Sequence, residues 1–314
     1  MSEKEFQIPS DPEKAHKQIK KLREEIRYHN KKYFVENQPE ISDYEFDQLV
    51  QELESLEEEY PQFITEDSPT QRVGTEEIDE FKTVEHKGSM LSLNKAYDYE
   101  ELREFDKRVK KGWKVKTIEY VVEPKIDGLG VALYYENGSL KRAATRGDGT
   151  RGEDITPNVK TIKAVPLRLS KESRLQTAEF RGEIFMPREA FDKMNEKRMK
   201  QGKEPFANPR NAAAGTMRTK DPRTVAGRPL DIFIYTLSYY EDGQFNKHIE
   251  ALEEMKEAGL KVNEFKVFNG ITDVIAYLDK YEERKDQLNY EIDGMVVKVN
   301  DLEAHEQLGH TTHH

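Results

Sequence analysis

The sequence predicts an α+β protein: a helical N-terminal subdomain followed by a domain built on antiparallel sheets with flanking helices. Apolar residues recur at helical spacing through residues 11–60, whereas several later segments are rich in β-branched and aromatic residues. The helical stretches between those later segments are irregularly placed. That favours hairpin-connected sheets over the regular alternation of a parallel βαβ fold.

The first helix starts at Ser10-Asp11-Pro12 and continues through "DPEKAHKQIKKLREEIRYHNKKYFVEN", with Ile19, Leu22, Ile26 and Tyr33 at helical spacing. A second starts near Ser42, where Glu45 follows three residues on as in a capping box, and runs to the stop at Pro61. The polar stretch "TEDSPTQRVGTEEIDEF" is broken by proline and glycine and marks the link to a second domain, giving expected units of 1–73 and 74–312. Strands are expected at "IEYVVEP", "GVALYYENGSLKRAATR", "TAEFRGEIFMP", "DIFIYTLSYY" and "EIDGMVVKV", with a hairpin turn at Asn137-Gly138. Helices are expected near 188–200, 247–258 and 271–284. The closing histidines, 313–314, are expected to open a purification tag.

Composition narrows the function. Lys and Arg number 50 against 61 Asp and Glu, a net charge of −11, the wrong sign for holding nucleic acid by bulk electrostatics alone. Basic stretches such as "KRVKKGWKVK" are expected to be solvated helix and loop faces. The absence of cysteine excludes disulfides, thiol catalysis and thiolate zinc sites, and suits a cytoplasmic setting. No apolar run approaches membrane-spanning length, and nothing suggests an obligate dimer, so a monomer is expected.

The chemistry is carried by "VVEPKIDGLG". Positions 125 and 127 share a strand face, so Lys125 and Asp127 are expected to point into one cleft, with Gly128 and Gly130 leaving room for a ligand at the backbone. Taken alone, Lys-x-Asp-Gly reads first as an ordinary strand-end ion pair. Company changes that: "TRGDGTRGED" supplies Arg146, "FRGEIFMP" sets Arg181 and Glu183 on one face, and "YEIDGMVVKV" brings Lys298 after a second Asp-Gly.

In their order, "EPKIDG", "ATRGDGTRGEDIT", "FRGEIFMP", "FANPRNAAAGTMR" and "IDGMVVKVN" resemble the successive nucleotidyltransferase motifs of bacterial NAD-dependent DNA ligases, and the likeness runs from the first helix to "HEQLGHTT". The resemblance implies that Lys125 attacks the adenylyl phosphorus of NAD, expels nicotinamide mononucleotide and holds AMP as a phosphoramidate. A free lysine, with a pKa of about 10.4, must first lose a proton, and a neighbouring carboxylate opposes that loss. The resemblance supplies the offset: a hydrated magnesium ion with Lys298 and Arg146 near the phosphate, and Asp127 and Glu183 as outer-shell anchors. It also makes Glu123 the adenine-contacting acid and places Ser92 and Leu93 along the AMP site. Tyr235 could stack on the base, although an aromatic residue in such a strand is more often core.

The lysine motif is shared with ATP-using nucleotidyltransferases, so the choice of nucleotide falls to the N-terminal unit. "YFVENQPEISDYEFD" resembles the segment with which NAD-dependent ligases clasp the nicotinamide mononucleotide half, through Tyr33, Asp43 and Asp47, with Tyr44, Glu45 and Phe46 in the same stretch. A pyridinium cation gains from an aromatic face and nearby carboxylates. The bland alternative is Tyr33 packed between helices and helix-start aspartates that favour the dipole. Phe46 stands where the family usually has tyrosine, and Phe34 has no polar tip. The implied function is the adenylation module of such a ligase, expected alone to join little or no nicked duplex DNA, the partner of the complete enzyme. The alternatives are an ATP-dependent nucleotidyltransferase and a non-catalytic nucleotide-binding scaffold.

Overall fold

The computed structural model describes Phe6 and residues 8–74, 76–88, 90 and 93–308, apart from the side chains of 282 and 283. The proposed tag at 313–314 lies outside the described residues.

Two helices, α1 (Pro12–Asn30) and α2 (Asp43–Glu59), make the N-terminal unit. Asp11 caps α1 by accepting from the Glu13 amide at 2.9 Å, and Ser42 and Glu45 form the expected capping box on α2. Ala15, Ile19, Leu22 and Ile26 of α1 pack on Leu53 and Leu56 of α2, with Phe46 at the edge of the same cluster. Beside this apolar seam lies a buried ion pair, Arg23 with Glu57 at 2.5 Å. Glu57 also accepts from Ser68 at 2.6 Å and from Thr70, so the polar link is tied back onto the helices.

The link also docks forward. Asp67 accepts from Arg27 at 3.3 Å and from Arg168 at 2.7 Å, while Arg72 donates to the carbonyls of Lys160, Ile162 and Val165. Phe34, in the π-helical turn Lys31–Val35 that continues α1, packs against the core of the following domain, with the Lys163 ammonium 5.5 Å from its ring centroid.

That domain contains a short strand pair, β1 (Thr83–Glu85) with β5 (Arg151–Glu153), and two larger sheets. One has the order β4 (Ser139–Thr145), β3 (Leu129–Glu136), β6 (Ala178–Phe185), β7 (Asp231–Tyr240). The other has the order β8 (Lys266–Asn269), β2 (Glu119–Ile126), β9 (Ile292–Val299). Every pairing between these strands is antiparallel, as expected. The β3–β4 hairpin turns at Asn137 and Gly138, both with positive φ.

Strand β2 is buried on both faces. Val121 joins the main core with Val131, Leu133, Phe180 and Ile184, while Tyr120 and Val122 join a second cluster with Leu102 and Val109 of α3 (Tyr99–Trp113) and Val274 of α9 (Ile271–Tyr281). Double burial explains why the segment shows a continuous apolar run. The short helices α4 (Thr156–Lys160) and α7 (Pro222–Ala226) flank the main core, α8 (His248–Glu257) closes over it, and α5 (Arg188–Lys200) packs with α6 (Pro209–Met217). The helix α10 (Leu302–Leu308) follows β9. The expected helices at 188–200, 247–258 and 271–284 are present, the last finishing as a 3₁₀ turn over Glu282–Gln287. The basic stretch falls on α3 and the turn after it; there the charges face outward because Leu102 and Val109 take the inner face.

Removing one partner of a buried ion pair leaves the other charged and poorly compensated. Glu57→Ala should therefore lower the unfolding free energy by about 3 kcal/mol in urea denaturation followed by circular dichroism. Lys171→Ala, which breaks an exposed pair with Glu24, should change it by less than about 1 kcal/mol.

Candidate active site

The antiparallel pairing of β2 with β9 runs in register from Tyr120 opposite Val299 to Pro124 opposite Met295, then shifts so that Ile126 faces Ile292. Two steps along β2 match three along β9, so β9 carries an extra residue opposite Lys125. Gly294 lies in this irregularity with φ +144°, a conformation L side chains rarely adopt. The bulge directs the Asp293 carboxylate onto Lys125, whose Nζ donates at 2.6 and 2.8 Å. The ion pair that the sequence suggested between Lys125 and Asp127 gives way to this one. Asp127 is instead paired with Arg210 of α6 at 3.2 Å.

Gly128 has a different role from the one expected. A Cβ there would come within 2.2 Å of the Ile184 carbonyl oxygen, so the missing side chain admits strand β6 and not a ligand. Opposite Gly130 in the β3–β6 register stands Glu183. Burial pushes the Glu183 carboxyl up to about 7; Lys125 and Arg210 oppose this, and Asp127 and Asp293 add to it.

Further along β2, Glu123 is buried at the cleft floor, 2 % exposed. Its Oε1 lies 2.9 Å from the Lys298 ammonium and 2.9 Å from Nε2 of His248. Burial alone would raise this carboxyl, yet the Lys298 charge and the His248 hydrogen bond hold it below the usual range. His248 is in turn lowered, by burial first and by Lys298 second. Lys298 also donates to the Tyr235 carbonyl at 2.9 Å and lies 5.5 Å from the centroid of that ring.

One large cleft is lined by Leu93, Glu123, Lys125, Asp127, Arg146, Glu183 and Lys298, all expected at the site, together with Arg210, Tyr235, His248 and Asp293. Lys298 is engaged with Glu123, the acid expected at the base. Ser92 lies outside the described residues. The helical residues stand apart: none of Tyr33, Asp43, Tyr44, Glu45, Phe46 and Asp47 lines this cleft. Tyr33 and Tyr44 are exposed, Phe46 belongs to the helical core, and the Glu45 carboxylate is occupied by the α2 cap. Among the described residues no group of three or more His, Asp or Glu is arranged to hold a metal directly.

Three cleft residues escaped the sequence reading. Asp293 had a signal in the second Asp-Gly, and Arg210 sits inside a quoted motif. A single histidine at a helix start gave no sign of His248.

The raised Glu183 carboxyl fixes the sign of one pH dependence. Between its ordinary value near 4.5 and about 7, the unfolded chain has released this proton while the folded chain keeps it. The contribution is complete below the lower limit and is lost as pH rises through the upper one. In metal-free buffer, Glu183→Gln should flatten the fall in unfolding free energy across this window by on the order of 2 kcal/mol, read from urea melts at successive pH values.

Residues 12–74 match the family described as DNA ligase-like, N-terminal NAD+-binding domain. The DNA ligase of Aquifex aeolicus (strain VF5) is 50% identical over 308 residues, 96% of this chain and 43% of the relative. That of Thermoanaerobacter pseudethanolicus is 52% identical over 294 residues, 93% of this chain and 44% of the relative. That of Thermotoga neapolitana is 49% identical over 311 residues, 99% of this chain and 44% of the relative. The chain thus spans less than half the length of these curated relatives. Residues 78–314 match the NAD-dependent DNA ligase adenylation domain, and the chain belongs to that family.

Proposed function

We propose that this chain is the adenylation module of an NAD-dependent DNA ligase and that Lys125 is its nucleophile. The observation that carries the reading is the setting of Lys125, at a bulged strand end in a cleft, held by Asp293 and surrounded by Asp127, Glu183 and Arg210. While Nζ donates to both oxygens of Asp293 it has no lone pair aimed at a substrate, so the bridge opens before attack. Nζ then loses a proton and forms a bond to the adenylyl phosphorus. The phosphorus–oxygen bond to nicotinamide mononucleotide breaks, that group leaves, and AMP stays on the lysine.

Glu123 receives the adenine, and Lys298 and Arg146 contribute positive charge toward the phosphate. Leu93 and Ser92 border the AMP. Tyr33, Asp43 and Asp47, with Tyr44, Glu45 and Phe46 in the same stretch, clasp the nicotinamide mononucleotide half. Because none of these helical residues lines the cleft, that clasp requires the helical unit to move onto the bound dinucleotide.

Magnesium fits as a hydrated guest. The cleft offers Asp127 and Glu183 as acceptors for metal-bound water, but no direct three-ligand cluster among the described residues. When bound, the ion supplies positive charge beside the phosphate. The monomeric, cytoplasmic, full-length enzyme would take nicked duplex DNA as its substrate, whereas this acidic chain alone would join little or none. The helical unit supports NAD over ATP as the donor.

Incubating the protein with NAD and magnesium should add the mass of an adenylyl group, and Lys125→Ala should carry none. An adduct from ATP alone would reverse the choice of donor. Tyr33→Ala or Asp47→Ala should slow adduct formation from NAD by about tenfold or more through lost cation contacts, while return of AMP to other acceptors changes less.

A further inference from the structure

We propose that His248 is a positioning residue that orients Glu123 to read the 6-amino group of a purine, so that the cleft prefers adenine nucleotides to 6-oxopurine nucleotides. The inference rests on the proposed function only in that the base enters at Glu123.

His248 is the first residue of α8, and its place is fixed by Asn300. Its backbone amide donates to the Asn300 carbonyl at 2.7 Å, and the next amide, of Ile249, donates to Asn300 Oδ1 at 3.0 Å. The ring is buried, and the residue lines the same cleft as Glu123 and Lys298. Nε2 faces a carboxylate oxygen at 2.9 Å and an ammonium at 3.2 Å. The ammonium has better acceptors in Glu123 and the Tyr235 carbonyl, both at 2.9 Å. Burial and Lys298 keep the imidazole neutral, so these partners assign one tautomer: Nε2–H donates to Glu123 Oε1.

The consequence concerns the other oxygen. Oε1 takes two donors, from His248 and Lys298, whereas among the described residues Oε2 has only the longer contact to Lys298 at 3.2 Å. Each carboxylate oxygen can accept two hydrogen bonds. Capacity therefore remains on Oε2 in a residue that lines the cleft. An exocyclic amine donates to such an oxygen, but a 6-oxo group would set one acceptor against another at a buried carboxylate. Lys298 alone could satisfy the carboxylate in several orientations, and the second donor on Oε1 selects the one that leaves Oε2 open.

The test is the dissociation constant of AMP and of IMP, measured by calorimetry on AMP-free protein with no NAD present. The unaltered chain should bind AMP about tenfold or more tightly than IMP. His248→Leu should reduce that ratio to near unity, and His248→Gln, whose amide can donate from a similar position, should restore most of it. The proposal is overturned if the unaltered chain shows no preference, if His248→Leu weakens both nucleotides alike, or if His248→Gln fails to restore the ratio. If His248→Leu does not fold, His248→Gln is compared with His248→Asn, whose shorter amide falls short: preference kept in the first and lost in the second supports the proposal, and equal ratios refute it. Failure to form an adduct from NAD would count against Lys125 as nucleophile and leave this base preference standing, since neither AMP nor IMP binding requires the transfer.

Discussion

The site depends on the pairing of β2 with β9 and on the extra residue that β9 carries opposite Lys125. A perfect antiparallel ladder would set side chains across the pair at fixed intervals on alternating faces. The bulge breaks that regularity at one position, and Gly294 supplies the backbone conformation it needs. Asp293 thereby reaches Lys125, and Asp127 is left to Arg210, brought in by α6. Above the bulge the regular ladder resumes. There Glu123 is opposite Val296, and Lys298, two residues on and hence on the same face, closes onto Glu123 across the diagonal. One local irregularity thus separates a lysine held at the strand end from a second lysine committed to a buried acid.

The same cleft moves two carboxyl groups in opposite directions, and the cause lies in their partners. Both are taken out of water, which by itself raises a carboxyl. Glu123 has a lysine and a histidine within hydrogen-bonding distance, and these outweigh its burial. Glu183 has cations acting on it as charges, with two acids adding to its burial, so it rises to about 7. Near neutral pH the cleft therefore contains one carboxylate that only accepts and one carboxyl able to donate for part of the time.

The sequence made most of the framework legible because the relevant signals are local. The cap residues Asp11, Ser42 and Glu45, the Asn137-Gly138 turn and the apolar run into Lys125 each follow from neighbours within a few positions. The cleft residues were legible as a set of motifs, but their pairings were not. Lys125 and Asp127, two positions apart, looked like partners on one strand face, but β2 ends at Ile126, and the bulge that redirects the lysine depends on a strand almost the whole domain away in sequence. Gly128 was assigned to ligand access because nothing in the sequence says that Ile184 fills the space. The short helices α6 and α10 escaped because a few turns carry too little periodicity to stand out. His248 escaped because one histidine at a helix start has no pattern at all.

The placement of the helical unit follows from the kind of contact at each boundary. Within it, Ile19, Leu22, Ile26, Leu53 and Leu56 form an apolar seam that would expose its whole surface to water if opened. Toward the sheet domain the character changes to charge: Lys171 with Glu24 and Lys141 with Glu66 are solvent-exposed pairs, and Asp67 bridges Arg27 and Arg168. The two exposed pairs exchange for water at a cost of about 1 kcal/mol or less each, whereas the Asp67 bridge, with its carboxylate largely buried, is held more firmly. Phe34 adds an apolar contact, and Arg72, with its three carbonyl acceptors, holds the polar link itself. The seam therefore keeps α1 and α2 together as one body, while the weaker charged contacts are the ones that can be given up.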